Sequence, residues 1–160
     1  MSHPIKEIVR KQKNGITAGI FSVCSANEFV LQASMQRANF FDKYLLIEAT
    51  ANQVNQNGGY TQMKPADFRC FVHAIAEKVG FPCRKIILVG DHLGPLVWKD
   101  RNTNEAMIKA EELIKQYILA GFSKIHIDTS MHLGGDDKNV KLDDLIIAER
   151  AAFLCKVAEE

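Results

Sequence analysis

Apolar positions along this chain follow two periods in alternation. Short, largely apolar runs at residues 16–22, 44–49, 85–90 and 124–128 alternate with longer stretches in which apolar residues recur three and four apart. The short runs predict β-strands and the long ones amphipathic helices. Tyr44-Leu-Leu-Ile-Glu-Ala49 is apolar almost without interruption, as a strand covered on both faces should be.

Start and stop signals bracket the helices. Pro4 opens a first helix that runs to about Lys13, with Gly15 beyond its end and Ile5, Ile8, Val9 and Gln12 along one side. Ser25-Ala-Asn-Glu28 has the spacing of a capping box and predicts a helix from there to about Phe41. Pro65 and Gly80 bracket the next helix, with Phe68, Phe71, Val72, Ile75, Ala76 and Val79 at helical spacing. Asn102 and Gly121 bracket the one after, and a last helix spans residues 143–159.

Strands joined through helices run parallel with right-handed crossovers. An α/β fold follows, either an open doubly wound sheet or a closed barrel. No Gly-x-Gly-x-x-Gly follows any strand, which removes the main support for a dinucleotide-binding sheet. Polar residues gather where the strands end: Ser22 and Ser25; Glu48, Asn52 and Gln53; Asp91 and His92; Asp128, Ser130 and His132. In a (β/α)8 barrel these ends share one face, the face that carries the active site. These clues lean toward the closed form, a TIM barrel of which four βα units would be about half, and the open sheet stays the alternative.

Composition narrows the function classes. Lys plus Arg number 20 against 19 Asp plus Glu, a net charge of +1, so nothing points to nucleic acid or an anionic membrane as partner. No run approaches the ~20 apolar residues of a membrane span. The start of the chain lacks an apolar targeting core, and a cytoplasmic location is the default expectation. Cys24, Cys70, Cys83 and Cys155 form no Cys-x-x-Cys pair, and their apolar neighbours predict small, buried, reduced thiols.

Three segments could carry chemistry. In Gly90-Asp91-His92-Leu-Gly-Pro95 a charged pair follows an apolar strand directly: Asp91 is a candidate base and His92 a candidate metal ligand. One His and one carboxylate fall short of the three or four donors a metal needs, and a bracing Asp-His pair is the plainer alternative. The loop from Glu48 through Asn52, Gln53 and Gly58-Gly59 is rich in amides, which suit sugar hydroxyls but suit a self-bonded loop equally well. In His126-Ile-Asp128-Thr-Ser130, alternation puts His126 and Asp128 on one face. His126 reads as a satisfied core histidine, while Asp128 and Ser130 at the strand end read as site candidates.

Leu46-Ile-Glu-Ala-Thr, Asn52-Gln-Val-Asn-Gln, Gly58-Gly-Tyr-Thr, Pro65-Ala-Asp-Phe-Arg, Gly90-Asp-His-Leu-Gly-Pro, Lys124-Ile-His-Ile-Asp and Ala148-Glu-Arg-Ala-Ala together resemble the non-catalytic Z-type subunits of tagatose-1,6-bisphosphate aldolase. The likeness covers nearly the whole chain. It implies kinship with class II aldolases, metal-dependent (β/α)8 barrels. There an Asp-His pair at a strand end supplies a proton donor and a zinc ligand, and Asp91-His92 looks like its counterpart. Asp128 and Ser130 resemble the Asp-x-Ser of a later strand, and Glu48, Asn52 and Gln53 join them as expected substrate contacts.

The resemblance implies an accessory subunit, partnered by a catalytic class II aldolase subunit in galactitol or N-acetylgalactosamine-type catabolism. It also implies a possible sugar-phosphate ligand and a divalent metal, zinc, in the full-length protein. The alternatives are a metal-dependent ketose-bisphosphate aldolase in its own right and a tagatose-6-phosphate kinase. The latter lacks a Walker-type loop here.

Departures from the family pattern are few. Lys64 stands where a better cap residue is expected, and Pro95-Leu-Val-Trp departs from an Asn-rich continuation. Length is the larger departure: a barrel needs ~250 residues, against 160 here. The expectation is that residues 1–160 are the N-terminal half of one barrel domain, truncated or completed by another chain. Its two open sheet edges would favour oligomers.

Overall fold

The structure, a computed structural model, describes residues 3–160. Helix α1 (Pro4–Lys13) starts with proline in its first turn, where the missing N–H costs nothing, and His3 Nδ1 accepts the Ile5 amide. Helix α2 (Glu28–Phe40) is capped by Asn27, whose side-chain oxygen accepts the amides of Phe29 and Val30. This corrects the Ser25–Glu28 capping box. Ser25 Oγ instead accepts the Asn27 amide, and Glu28 turns to Gln32 and Lys78. Ser25 to Asn27 form a turn before the helix, so the Glu28 amide lies too early in the helix to meet Ser25.

Helix α3 (Pro65–Lys78) begins after Lys64, which offers no acceptor of its own. The Asp67 carboxylate takes the Lys64 amide and closes that end. Helix α4 (Thr103–Leu119) is capped by Asn102, which accepts the Glu105 amide, and ends before Gly121 at φ +86°. Helix α5 (Asp144–Glu159) is capped by the Asp143 carboxylate on Leu145.

Four strands, β1 (Ser22–Cys24), β2 (Leu45–Thr50), β3 (Ile86–Leu93) and β4 (Lys124–Ile127), form one parallel sheet in the order β1-β2-β3-β4. Ser22 pairs with Leu46 and Leu46 with Ile87, while Val89 pairs with Lys124. Each strand lies beside its predecessor, so the order never reverses as it does in a doubly wound sheet. The first strand begins six residues later than the predicted 16–22; residues 16–21 run outside the ladder, and Ile20 packs across the sheet instead.

Alternation along the strands builds two unlike faces. Leu45, Ile47, Ala49 and Leu88 point into the main core, where they meet Leu31 of α2, Phe68 of α3, Leu113 of α4 and Leu154 of α5. Each fully buried Leu or Phe there stabilises the fold by about 1.5–3 kcal/mol. The opposite face carries a small cluster, Leu46, Ile87 and Val89, roofed by Ile5 of α1 and Ile20.

The same alternation corrects the expectation of buried thiols. Cys24, Cys70 and Cys155 are exposed and Cys83 is half-buried, all unpaired. Val23 and Leu154 face the core, and the cysteine next to each points away from it.

Residues 51–64 form a long loop beyond β2, fixed from two directions. The fully buried Tyr117 of α4 donates its hydroxyl to the Val54 carbonyl at 2.9 Å, and Gln56 Nε2 donates to the Lys109 carbonyl. Burial pushes the Tyr117 phenol far above its ordinary pKa, so the hydroxyl remains a donor. Gly59, at φ +58°, sits where a Cβ would lie 2.3 Å from the Gln53 carbonyl oxygen, so only glycine fits.

Candidate functional site

The site is built around an irregularity in β3. Gly90 pairs with Ile125 and Leu93 with Ile127, so three steps along β3 answer two along β4. The extra residue is a β-bulge, and within it His92 takes φ +49°. A regular strand would send Asp91 and His92 to opposite faces. The bulge lets both reach the polar end of the second face, and strain of this kind is a common mark of functional strand ends.

There the two oxygens of Asp91 serve two histidines. Oδ2 accepts from His92 Nδ1 at 2.9 Å, and Oδ1 accepts from His126 Nδ1 at 2.9 Å. An ionised carboxylate can only accept, so each imidazole carries its proton on Nδ1. Both Nε2 atoms then have free lone pairs, and neither has a protein partner among the described residues. The rings stand 4.4 Å apart, centroid to centroid. Asp91 is 17% exposed, His92 53% and His126 45%.

Electrostatics follows from this geometry. Partial burial pushes the Asp91 carboxyl up, but the hydrogen bonds from His126 and His92 outweigh it and hold the group below the usual carboxylate range. Asp91 in turn raises His92, by its hydrogen bond and then by its charge. Asp128 shows the same balance: burial works against ionisation, while two bonds from Ser130, through its amide and its hydroxyl, and the nearby histidines favour it. The backbones close tightly beneath. A Cβ on Gly94 would lie 1.9 Å from the Asp128 carbonyl oxygen, so glycine alone lets the chain after β3 pass the end of β4.

One ligand atom from each of Asp91, His92 and His126 lies within 4.8 Å of the other two. Cys24, Glu48 and Asp91 make a second such group. Burial, then the charges of Asp91 and Glu48, raises the Cys24 thiol, which is therefore neutral and a weak ligand. The first trio offers a divalent cation two imidazoles with free Nε2 atoms, oriented by one carboxylate, which is two of the three or four donors such an ion takes.

The predicted site residues divide into two groups. Asp91, His92, Asp128, Ser130 and Glu48 converge at the strand ends. Asn52 is exposed on the loop beyond β2. Gln53 is buried, and its amide oxygen accepts from the Thr50 amide and the Cys24 thiol, so that half of the side chain fixes the end of β2. Asn55 and Gln56 likewise bond backbone, which makes much of the amide-rich loop self-bonded.

His126 overturns its expectation: it faces out beside Asp91 rather than lying in a core. Alternation places it on the face of Asp128, and that face is polar at this level. Trp98, by contrast, packs into the main core, and His132 bonds the Val140 carbonyl. Among the described residues no helix is long and apolar enough to cross a membrane.

A parallel α/β fold with a carboxylate-bridged pair of histidines at the carboxyl ends of its strands is thus the class of protein at hand. The family model for D-tagatose-1,6-bisphosphate aldolase subunit GatZ/KbaZ-like proteins matches residues 5–160, and the chain belongs to that family. Subunits GatZ of D-tagatose-1,6-bisphosphate aldolase from Salmonella paratyphi B and Klebsiella pneumoniae are each 53% identical over 156 residues, 98% of this chain and 36% of theirs. The chain therefore spans little more than a third of the length of the curated relatives it matches. A crystal structure of a probable tagatose 6 phosphate kinase from Sinorhizobium meliloti 1021 superposes with a TM-score of 0.84 at 53% identity, over 88% of this chain and 36% of that one.

Proposed function

We propose that residues 1–160 are the N-terminal half of a single (β/α)8-barrel domain. The protein built on it would be the accessory, non-catalytic subunit of a class II D-tagatose-1,6-bisphosphate aldolase. Family membership is the observation that carries this reading. The singly wound strand order, with α2 to α5 sharing one core, supports the barrel. In this role the protein binds a catalytic class II aldolase subunit in the cytoplasm and sustains its activity and stability in galactitol or N-acetylgalactosamine-type catabolism.

The site residues take matching roles. Glu48, Asn52, Asp128 and Ser130 offer acceptors to a sugar phosphate at the strand ends, and the Asn52 amide a donor, the Ser130 hydroxyl proton being held by Asp128. Gln53 contributes its NH2 group, since its oxygen is held by Thr50. Asp91, held ionised, fixes both imidazoles and accepts a proton rather than donating one. His92 is the primary ligand for a divalent metal such as zinc. When bound, such an ion supplies Lewis-acid polarisation of a substrate carbonyl.

The test is aldolase activity on tagatose 1,6-bisphosphate with the full-length protein alone, the catalytic subunit alone, and both together. Activity that is greater or longer-lived in the mixture supports the accessory role; no effect of mixing rejects it. The trio Asp91, His92 and His126 favours a second reading, a metal-dependent aldolase in its own right. Metal-dependent cleavage by this protein alone, abolished by His92→Ala, would establish it. The kinase named for the solved relative is a third reading and ranks lowest, because the sequence has no Walker-type loop. Its test is ATP consumption that depends on tagatose 6-phosphate.

A further inference from the structure

Six arginines lie along the chain. Arg10, Arg101 and Arg150 pair with Glu7, Glu105 and Asp136, and Arg37 stacks over the Phe41 ring. Arg69 and Arg84 have neither a carboxylate nor an aromatic partner among the described residues, and both line one cavity. That cavity, of about 320 Å³, lies at the amino ends of β2, β3 and β4, away from the strand ends that carry Asp91. His3, His73 and the Tyr44 side chain line it as well, and no Asp or Glu does.

Nearby carboxylates are committed or lie outside. Asp42 is paired with Lys85, and Glu77 sits one turn beyond His73 on α3, outside this lining. Arg69 is held in place, since one of its Nη atoms donates to the Ala120 carbonyl at 3.3 Å. Partial burial and then the charge of Arg69 push His73 away from its protonated form, against a smaller opposite pull from Glu77, which lines the neighbouring cavity. The lining thus holds two guanidinium groups, one of them anchored, two imidazoles and a phenol, and no carboxylate of its own. Such a lining has a net attraction for an oxyanion, and guanidinium forks match the geometry of phosphate.

We propose that this cavity binds a phosphate group, free or as the monoester of a small metabolite, at a site separate from the strand-end cluster. Arg84 and Arg69 clamp the phosphate oxygens, and His73 and Tyr44 donate to those that remain. The proposal does not depend on the aldolase reading, because no residue is shared.

The test is heteronuclear amide NMR of the full chain, titrated with inorganic phosphate or with glycerol 3-phosphate. Ionic strength is held constant, and chloride is the control. The amides of Gly121 and Ser123, at the cavity wall, should shift and saturate with phosphate and not with chloride. Which of the two phosphates binds more tightly tells a free from an esterified ligand. Arg84→Ala, at an exposed position, should weaken binding by about tenfold or more, as expected for lost charged hydrogen bonds. Arg69→Lys should weaken it as well, and Asp91→Asn should leave it unchanged. Shifts that fail to saturate, that chloride reproduces, or that survive both arginine substitutions would overturn the proposal.

Discussion

His92 and His126 come from different strands, yet their rings stand 4.4 Å apart because each donates Nδ1–H to a different oxygen of one carboxylate. Breaking that bridge has a definite consequence. In Asp91→Asn the charge and one acceptor are lost, so the pKa of His92 should fall from its raised value. Histidine titration by NMR checks this; an unchanged His92 would show that Asp91 does not hold it.

The bridge also sets a pH dependence of stability, and the two partners have opposite signs. The His92 pKa is raised on folding, so its contribution is full below the unfolded histidine pKa and is lost as pH rises through the folded value. The Asp91 pKa is depressed, so its contribution is present above the unfolded carboxylate pKa and lost as pH falls through the folded one. Wild type should therefore exceed Asp91→Asn in stability by most between these limits, at mildly acidic pH. Urea midpoints measured across the pH range would show it, and a constant difference would refute it.

If both imidazoles hold a cation through Nε2, each is needed. His126→Ala and His92→Ala should each weaken zinc or cobalt binding by about tenfold or more, the scale on which the support of a metal site is felt. Asp91→Asn should weaken it less than either, since the imidazoles remain. Titration calorimetry with the metal alone suffices. Equal affinity in wild type and His126→Ala would remove His126 from the ligand set.

The fold was more legible in the sequence than the site, for a physical reason. Helices and strands follow from periodicity, and Pro4, Pro65, Asn102, Gly80 and Gly121 punctuate the chain where the structure does. The run 16–22 reads as a strand, yet only its Ile20 packs on the far face, Ile16 and Phe21 are exposed, and the ladder starts at Ser22. For His126, alternation gives the face on which the residue lies, not whether that face is covered at its level. The bulge that brings His92 beside Asp91 depends on pairing between β3 and β4, which no local pattern encodes. The cysteines carry the same lesson: apolar neighbours in sequence say little when adjacent side chains point apart.

Gly94 offers a test of how closely the ends of β3 and β4 must approach. Its φ is extended, so backbone strain is not the issue; the obstacle is the Asp128 carbonyl oxygen, 1.9 Å from where a Cβ would stand. Gly94→Ala must push the two segments apart, at a cost of about 1–3 kcal/mol or more, as overpacking does. Because Asp128 moves with that carbonyl, the variant should also disturb Ser130 and the histidines. Thermal melting and His92 chemical shifts would report the two effects together. A variant as stable as wild type would mean the contact relaxes freely.

The ion pair of Arg150 and Asp136 tests what holds the segment after β4. Both Arg150 nitrogens donate to Asp136, at 2.7 and 2.9 Å, and the side chains are only 9% and 11% exposed. Asp136 also accepts the Leu133 amide, so the pair joins α5 to the glycine-rich loop that follows β4. The guanidinium holds the Asp136 carboxyl below the usual range, and its share of stability is lost as pH falls through that lowered value. Arg150→Met strands a nearly buried carboxylate and should cost about 3–5 kcal/mol. Adding Asp136→Leu removes the stranded charge and should recover much of the loss, although the Leu133 amide then lacks its acceptor. A double-mutant cycle by chemical denaturation decides the matter. If Arg150→Met is nearly neutral, the pair is solvated in solution and α5 is held by the packing of Leu154 and Val157 and by the Thr129 hydroxyl on the Ile147 carbonyl.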